Sequence, residues 1–138
     1  MLFRSAATLL LLLAAGCAGV TPPMNNELMT ATSDADKKYP QLHLQLAKAM
    51  RGDANDQFIL AGMYERGQGA PQSYDEGAKW YLLAAEQGHA AAQFFLGAMY
   101  GSGRGVKRDY PTAVAWFSKS AAQGYREAFY PMAYANES

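Results

Sequence analysis

In 138 residues there is room for one small domain, and its twelve basic side chains are offset by twelve acidic ones. A neutral chain lacks the clustered Lys and Arg that nucleic-acid binding requires. One cysteine and two histidines leave no internal disulfide and no ligand set at metal spacing, so neither a metal nor another cofactor is expected.

Residues 1–16 read as an export signal. Arg4 precedes an apolar run from Ala6 to Ala15 that is too short to span a bilayer, which takes about 20 residues. The run ends in Ala14-Ala15-Gly16-Cys17, which resembles the lipobox of bacterial lipoproteins, although the commonest pattern has Leu where Ala14 stands. The resemblance implies acylation of the Cys17 thiol, cleavage before it and a lipid anchor in the membrane. A lone thiol in an exported chain needs some use other than an internal disulfide; the alternative is an ordinary signal peptide with an incidental cysteine. Two or more acyl chains anchor stably where one would be marginal. Ala18, not Asp, follows the cysteine, which in a bacterium with two membranes favours the periplasmic face of the outer one.

Residues 17–38 are rich in Pro, Thr, Asn and Asp and lack a sustained apolar period. This stretch reads as a flexible tether with a reach of roughly 25 Å. Tyr39-Pro40 then opens a helical pattern through Leu42, Leu46 and Met50, with Gly52 suited to its end; residues 39–53 are read as an N-terminal cap helix.

From Ala54 the sequence repeats itself. Residues 54–89 return as residues 90–125 at an offset of 36 without a gap. Gln57, Phe58, Leu60, Met63 and Tyr64 recur as Gln93, Phe94, Leu96, Met99 and Tyr100, and Gly67, Gly69, Tyr74 and Trp80 recur as Gly103, Gly105, Tyr110 and Trp116. Ala54, Ala85, Gln87 and Gly88 recur as Ala90, Ala121, Gln123 and Gly124. A fixed period of this length marks units that cannot bury an apolar face alone and must stack. Within each unit, Ala54 to Arg66 and Ala90 to Ser102 are expected as first helices, with Asp53 as an N-cap and Gly67 and Gly103 at their ends. Tyr74 to Gln87 and Tyr110 to Gln123 are expected as second helices, the latter capped by Asp109. Residues 126–138 would begin a third unit, interrupted by Pro131, and are read as the C-terminal cap helix.

Each unit resembles the Sel1-like repeat, a relative of the tetratricopeptide repeat. The second unit carries the pattern in Ala92, Leu96-Gly97, Tyr100, Gly103-Arg104-Gly105-Val106, Asp109-Tyr110, Ala113, Trp116 and Ala121-Ala122-Gln123-Gly124. The first departs at Ala61, Ala70 and Gly77, where the pattern prefers Gly, Val and Ala. The resemblance implies an all-α fold, a short right-handed α-α superhelix (solenoid) of about two full repeats with a capping half-repeat at each end, acting as a protein-interaction module.

No catalytic constellation is expected. Gly101-Ser102-Gly103-Arg104-Gly105 follows a helix, unlike a nucleotide-binding loop, and reads as a helix end. His43 and His89 read as surface groups, and the pairs Asp34 with Asp36 and Asp75 with Glu76 have no burial to separate their pKa values. Some cysteine-rich relatives have been linked to β-lactam hydrolysis, but their paired cysteines are absent here.

Two surfaces remain. Helical spacing of 100° places Asn55, Phe58 and Gly62 on one face of the first helix, continued by Phe94, Ala98, Tyr130 and Tyr134. By resemblance this is the concave side, where Phe58, Phe94 and Tyr130 would either floor a groove for a peptide or pack on one another. Arg104, Lys107 and Arg108 form a basic loop that the first unit lacks, a candidate contact for an acidic partner. The expected function is a membrane-tethered interaction module of the cell envelope, either an adaptor or an immunity protein against a secreted toxin. The alternatives are a hydrolase acting on envelope glycans or β-lactams, or a structural spacer.

Overall fold

The computed structural model describes residues 34–129 and 131; the signal segment, Cys17, most of the tether, Tyr130 and Tyr134 lie outside the described residues. The chain falls into two units, Met1–Lys38 and Tyr39–Ser138. The described part of the first is one short helix, α1 (Asp34–Lys38), within the stretch that the sequence suggested as flexible tether. Asp34 opens it and Lys37 and Lys38 occupy its last turn, so the charges at both ends complement the helix dipole.

In the second unit follow α2 (Pro40–Met50), α3 (Ala54–Arg66), α4 (Tyr74–Glu86), α5 (Ala90–Ser102), α6 (Tyr110–Ala122) and a 3-10 turn at Arg126–Ala128. No strand occurs among the described residues. Helices α3 and α4 form one packed pair and α5 and α6 the next; α4 packs on α5, and α2 packs on α3. This is the all-α stack of two repeats with additional helical pieces at its ends.

The repeat boundaries are chemical. Asp53 accepts from the N–H groups of Asn55 and Asp56, Ser73 from Glu76 and Asp109 from Thr112, which satisfies donors that a helix start leaves unpaired. Gly67 and Gly103 end α3 and α5 with φ of 64° and 74°, left-handed values at which a Cβ is penalised. The loops then fold back alike, with the N–H of Ser73 on the Tyr64 carbonyl and that of Asp109 on the Tyr100 carbonyl. The α-helix expected from Arg126 begins instead as a 3-10 turn; Pro131 has no N–H to give the Glu127 carbonyl.

Leu60, Leu96, Tyr81 and Met99 fill the core between alanines, among them Ala61, Ala78, Ala84, Ala85 and Ala92. Small residues let the helices approach, and the few large ones fill what remains. On α2, by contrast, only Ala49 is buried, and Leu44 and Met50 are 56% and 72% exposed.

Two buried glutamines stitch neighbouring units. Gln57 Nε2 donates to the Ala49 carbonyl at 3.3 Å, and its own Oε1 accepts from Gln87 Nε2 at 2.7 Å. One repeat later Gln93 Nε2 donates to the Ala85 carbonyl at 3.1 Å and Oε1 accepts from Gln123 Nε2 at 2.9 Å. Each glutamine thus adds a second donor to a carbonyl near the end of the preceding helix, which already accepts an N–H from the turn that follows it, Gly52 on Ala49 and Gly88 on Ala85, and so ties one helix to the end of the one before.

Candidate protein-binding face

Helices α3 and α5 carry a connected row of rings. Phe58 stacks on His89 with centroids 4.7 Å apart and lies 5.7 Å from Tyr81. Its counterpart Phe94 lies 5.3 Å from Tyr125 and 5.6 Å from Phe117, the same three-ring cluster one repeat on. Phe95 joins the two, 5.8 Å from Phe58 and 5.4 Å from Phe94, and stacks on Tyr81 at 5.4 Å. Such pairs contribute about 0.5–1.5 kcal/mol each beyond their buried area. Tyr81 is fully buried, while Phe58, Phe94 and Phe95 are only partly so. The phenylalanines therefore pack on one another and still offer part of their surface to solvent.

Tyr81 donates its hydroxyl to Glu65 Oε2 at 2.7 Å. Burial, then this bond to a carboxylate, pushes the phenol pKa well above its ordinary value. In the second repeat both partners change together, to Phe117 and Gly101.

His89 has a role that the sequence did not reveal. Its Nδ1 accepts the N–H of Ala92 at 3.1 Å and so caps α5. Nε2 must then carry the ring proton, and it lies 3.1 Å from Asn55 Oδ1, which accepts it. Burial pulls the imidazole pKa below its ordinary value against a weaker opposing pull from Asp53. Asn55, expected as a contact residue, is exposed but already holds this bond. Histidine is not among the preferred N-cap residues, so spacing alone gave no sign of the arrangement.

Gly62, expected as an open flank, is buried. The Arg66 guanidinium lies over it, with Nη2 2.8 Å from the place a Cβ would occupy. Its counterpart Ala98 is exposed, since Ser102 replaces the arginine one turn further on. The basic loop is divided. Arg104 lines one cleft with Glu65, Arg66, Tyr74 and Phe95, its Cζ 5.6 Å from the Tyr74 ring centre. Lys107 and Arg108 line another with Tyr110, where Arg108 lies over the Tyr110 ring at 5.9 Å and donates to the Ser102 carbonyl at 3.4 Å. Gly105 fixes this division: a Cβ there would run into the Tyr74 carbonyl, and its φ of 70° is left-handed.

Among the described residues no group of three or more His, Cys, Asp or Glu is placed to hold a metal ion. None of their helices is long and apolar enough to cross a membrane.

No curated protein matches this chain. Among solved structures it is similar to a protective antigen present in uropathogenic Escherichia coli strains, at 40% identity over 60% of this chain and with a TM-score of 0.59. It is also similar to a Sel1 repeat protein from Oxalobacter formigenes, at 32% identity over 73% of this chain and with a TM-score of 0.65. The chain spans 18% and 42% of the lengths of those two proteins. Helicobacter pylori cysteine rich protein B shares the fold, with a TM-score of 0.61 at 21% identity over 72% of this chain and 74% of its own. The Sel1 repeat model matches residues 54–89 and 90–125, and this chain belongs to the Sel1 repeat family, whose members are protein-interaction modules.

Proposed function

We propose that this chain is a membrane-tethered interaction module of the bacterial cell envelope, anchored through Cys17 at the periplasmic face of the outer membrane. It holds a partner protein on the face shared by α3 and α5, as an adaptor in an envelope assembly or as an immunity protein that occludes a secreted toxin. One observation carries the binding half: the partly exposed rings of Phe58, Phe95 and Phe94 run on from one repeat to the next beside the exposed Ala98. Aromatic surface held rigid by its own packing costs little entropy on association, and it is where binding energy concentrates in interfaces. The lipobox-like Ala14-Ala15-Gly16-Cys17 supports the anchor. A relative named as a protective antigen fits an envelope setting.

In-cell crosslinking with mass spectrometry, comparing the wild type with Ala98→Glu, tests the face. Ala98 is small and exposed, so the substitution sets a charge on the face without removing a ring. Loss of one specific partner is the expected result; unchanged partners move the site elsewhere, and no partner in the wild type favours a spacer. Rescue from toxicity separates immunity from adaptor. For the anchor, the wild type takes up a fatty-acid probe and Cys17→Ser does not; an unlabelled wild type removes the tether.

A further inference from the structure

We propose that the cleft between the end of α3 and the loop after α5 binds a carboxylate of the partner, so that the segment seated there is acidic with an apolar residue beside the acid. This rests on the interaction-module reading and specifies the chemistry of the partner.

Two arginines line this cleft of about 570 Å³, and both are held in place by neutral groups. Arg66 Nε donates to Gln68 Oε1 at 3.3 Å while its guanidinium lies on Gly62, where the missing side chain makes room for it. Arg104 is held over the Tyr74 ring. Among the described residues neither forms an ion pair, unlike Lys79, which pairs with Glu76 at 2.7 Å. Glu65 is the carboxylate that lines the cleft, and its Oε2 is engaged by the Tyr81 hydroxyl. A chain that is neutral overall thus concentrates two forked donors against one committed acid. Guanidinium groups match carboxylates in a planar, two-bonded geometry, and such charge-assisted bonds are roughly twice as strong as neutral ones. Phe95 forms the apolar wall of the same cleft and belongs to the ring row, so an acid placed here lies beside aromatic surface.

The second repeat has no copy of this arrangement. Ser102 stands at the position of Arg66 and Gly101 at that of Glu65, which leaves the site single and sets the register of a bound segment.

The test titrates the full chain, with its arginine side-chain N–H resonances followed by NMR, against three blocked dipeptides. Acetyl-Phe-Asp-amide presents a side-chain acid, acetyl-Gly-Phe a terminal one, and acetyl-Phe-Asn-amide is the neutral control. Shifts at Arg66 and Arg104 with an acidic probe but not with the control are expected, weakening with salt. The relative affinity of the two acids tells a side chain from a chain end. Arg66→Gln or Arg104→Gln weakens binding at least about tenfold, and Arg66→Lys, which keeps the charge but loses the fork, falls between. Both arginines are exposed, so the melting curves of these variants remain near wild type. Equal response to acidic and neutral probes, or none to any, overturns the proposal. A crosslinked partner that is lost in Ala98→Glu but kept in the Arg66→Gln, Arg104→Gln pair overturns it too, and leaves the interaction-module reading standing. If the wild type captures no partner, that reading falls while the dipeptide titration still decides the cleft.

Discussion

Gly77 and Ala61 meet where α4 crosses α3: a Cβ on Gly77 would lie 3.3 Å from the Ala61 carbonyl oxygen. In the next pair the glycine has moved to the other helix, and a Cβ on Gly97 would lie 3.1 Å from the Ala113 carbonyl oxygen and 3.0 Å from two ring carbons of Phe117. Two of the first repeat's three departures from its family pattern, Ala61 and Gly77, are therefore one exchange across a single contact.

The two glycines differ in what surrounds them, and so do the expected costs of filling them. Gly97→Ala meets a buried aromatic ring as well as backbone, and overpacking of this kind costs about 1–3 kcal/mol, more than the roughly 1 kcal/mol of helix propensity that alanine returns. Gly77→Ala meets one carbonyl at a distance that a small shift relieves, so the propensity gain roughly offsets it. Thermal melting should show Gly97→Ala well below wild type and Gly77→Ala close to it, at about 4–8 °C per kcal/mol for a domain of this size. Equal melting temperatures would mean that Phe117 swings clear.

The glutamine stitch yields a coupling. Gln93→Leu removes the partner of the Gln123 amide and one donor from the Ala85 carbonyl, which keeps the Gly88 N–H, and the loss of two such bonds costs about 0.5–1.5 kcal/mol each. Gln123→Ala is milder, because its amide is exposed and water replaces the bond. In a double-mutant cycle read by denaturant unfolding, the pair should show an interaction of about 0.5 kcal/mol or more. Simple additivity would show that the stitch contributes nothing beyond its packing.

Tyr81 and Glu65 form a second coupled pair, and the repeat contains its own control. Because Phe117 and Gly101 occupy the equivalent places, the architecture tolerates loss of both members. Glu65→Leu alone strands a hydroxyl on a fully buried ring and should cost about 1–3 kcal/mol. Adding Tyr81→Phe should recover part of that loss, measured as a rise in melting temperature over the single variant.

These couplings explain what the sequence could and could not disclose. The bounds of α3 and α5 follow from Asp53, Gly67 and Gly103, residues with one dominant local use. The ring row was legible at Phe58 and Phe94 because identity across the offset marked them. Phe95 was not: its counterpart is Ile59, and helical spacing put it off the face, whereas the ring is long enough to reach back and join both clusters. Nor could spacing show Arg66 lying on Gly62, since that depends on the absence of a side chain four residues earlier. Recurrence of Gln57 and Gln93 marked them as important without indicating that the partner was a carbonyl of the preceding unit.

His89 makes the junction of the two repeats sensitive to acid. Its native pKa lies below the ordinary 6.5, so the unfolded chain binds the proton more tightly than the folded one. The linkage sign follows: stability from this group is fully present above about pH 6.5, declines as the pH falls below it and levels off beneath the native pKa. Structure gives the same direction. Protonation turns Nδ1 from acceptor to donor, which breaks the cap on Ala92 and sets a positive charge at the positive end of the α5 dipole. Melting curves collected between pH 5 and 7.5 should show the wild type losing stability toward acid with a slope that His89→Asn lacks, because asparagine caps without titrating. A slope unchanged by that substitution would assign the acid sensitivity to other groups and leave His89 as a pH-independent cap.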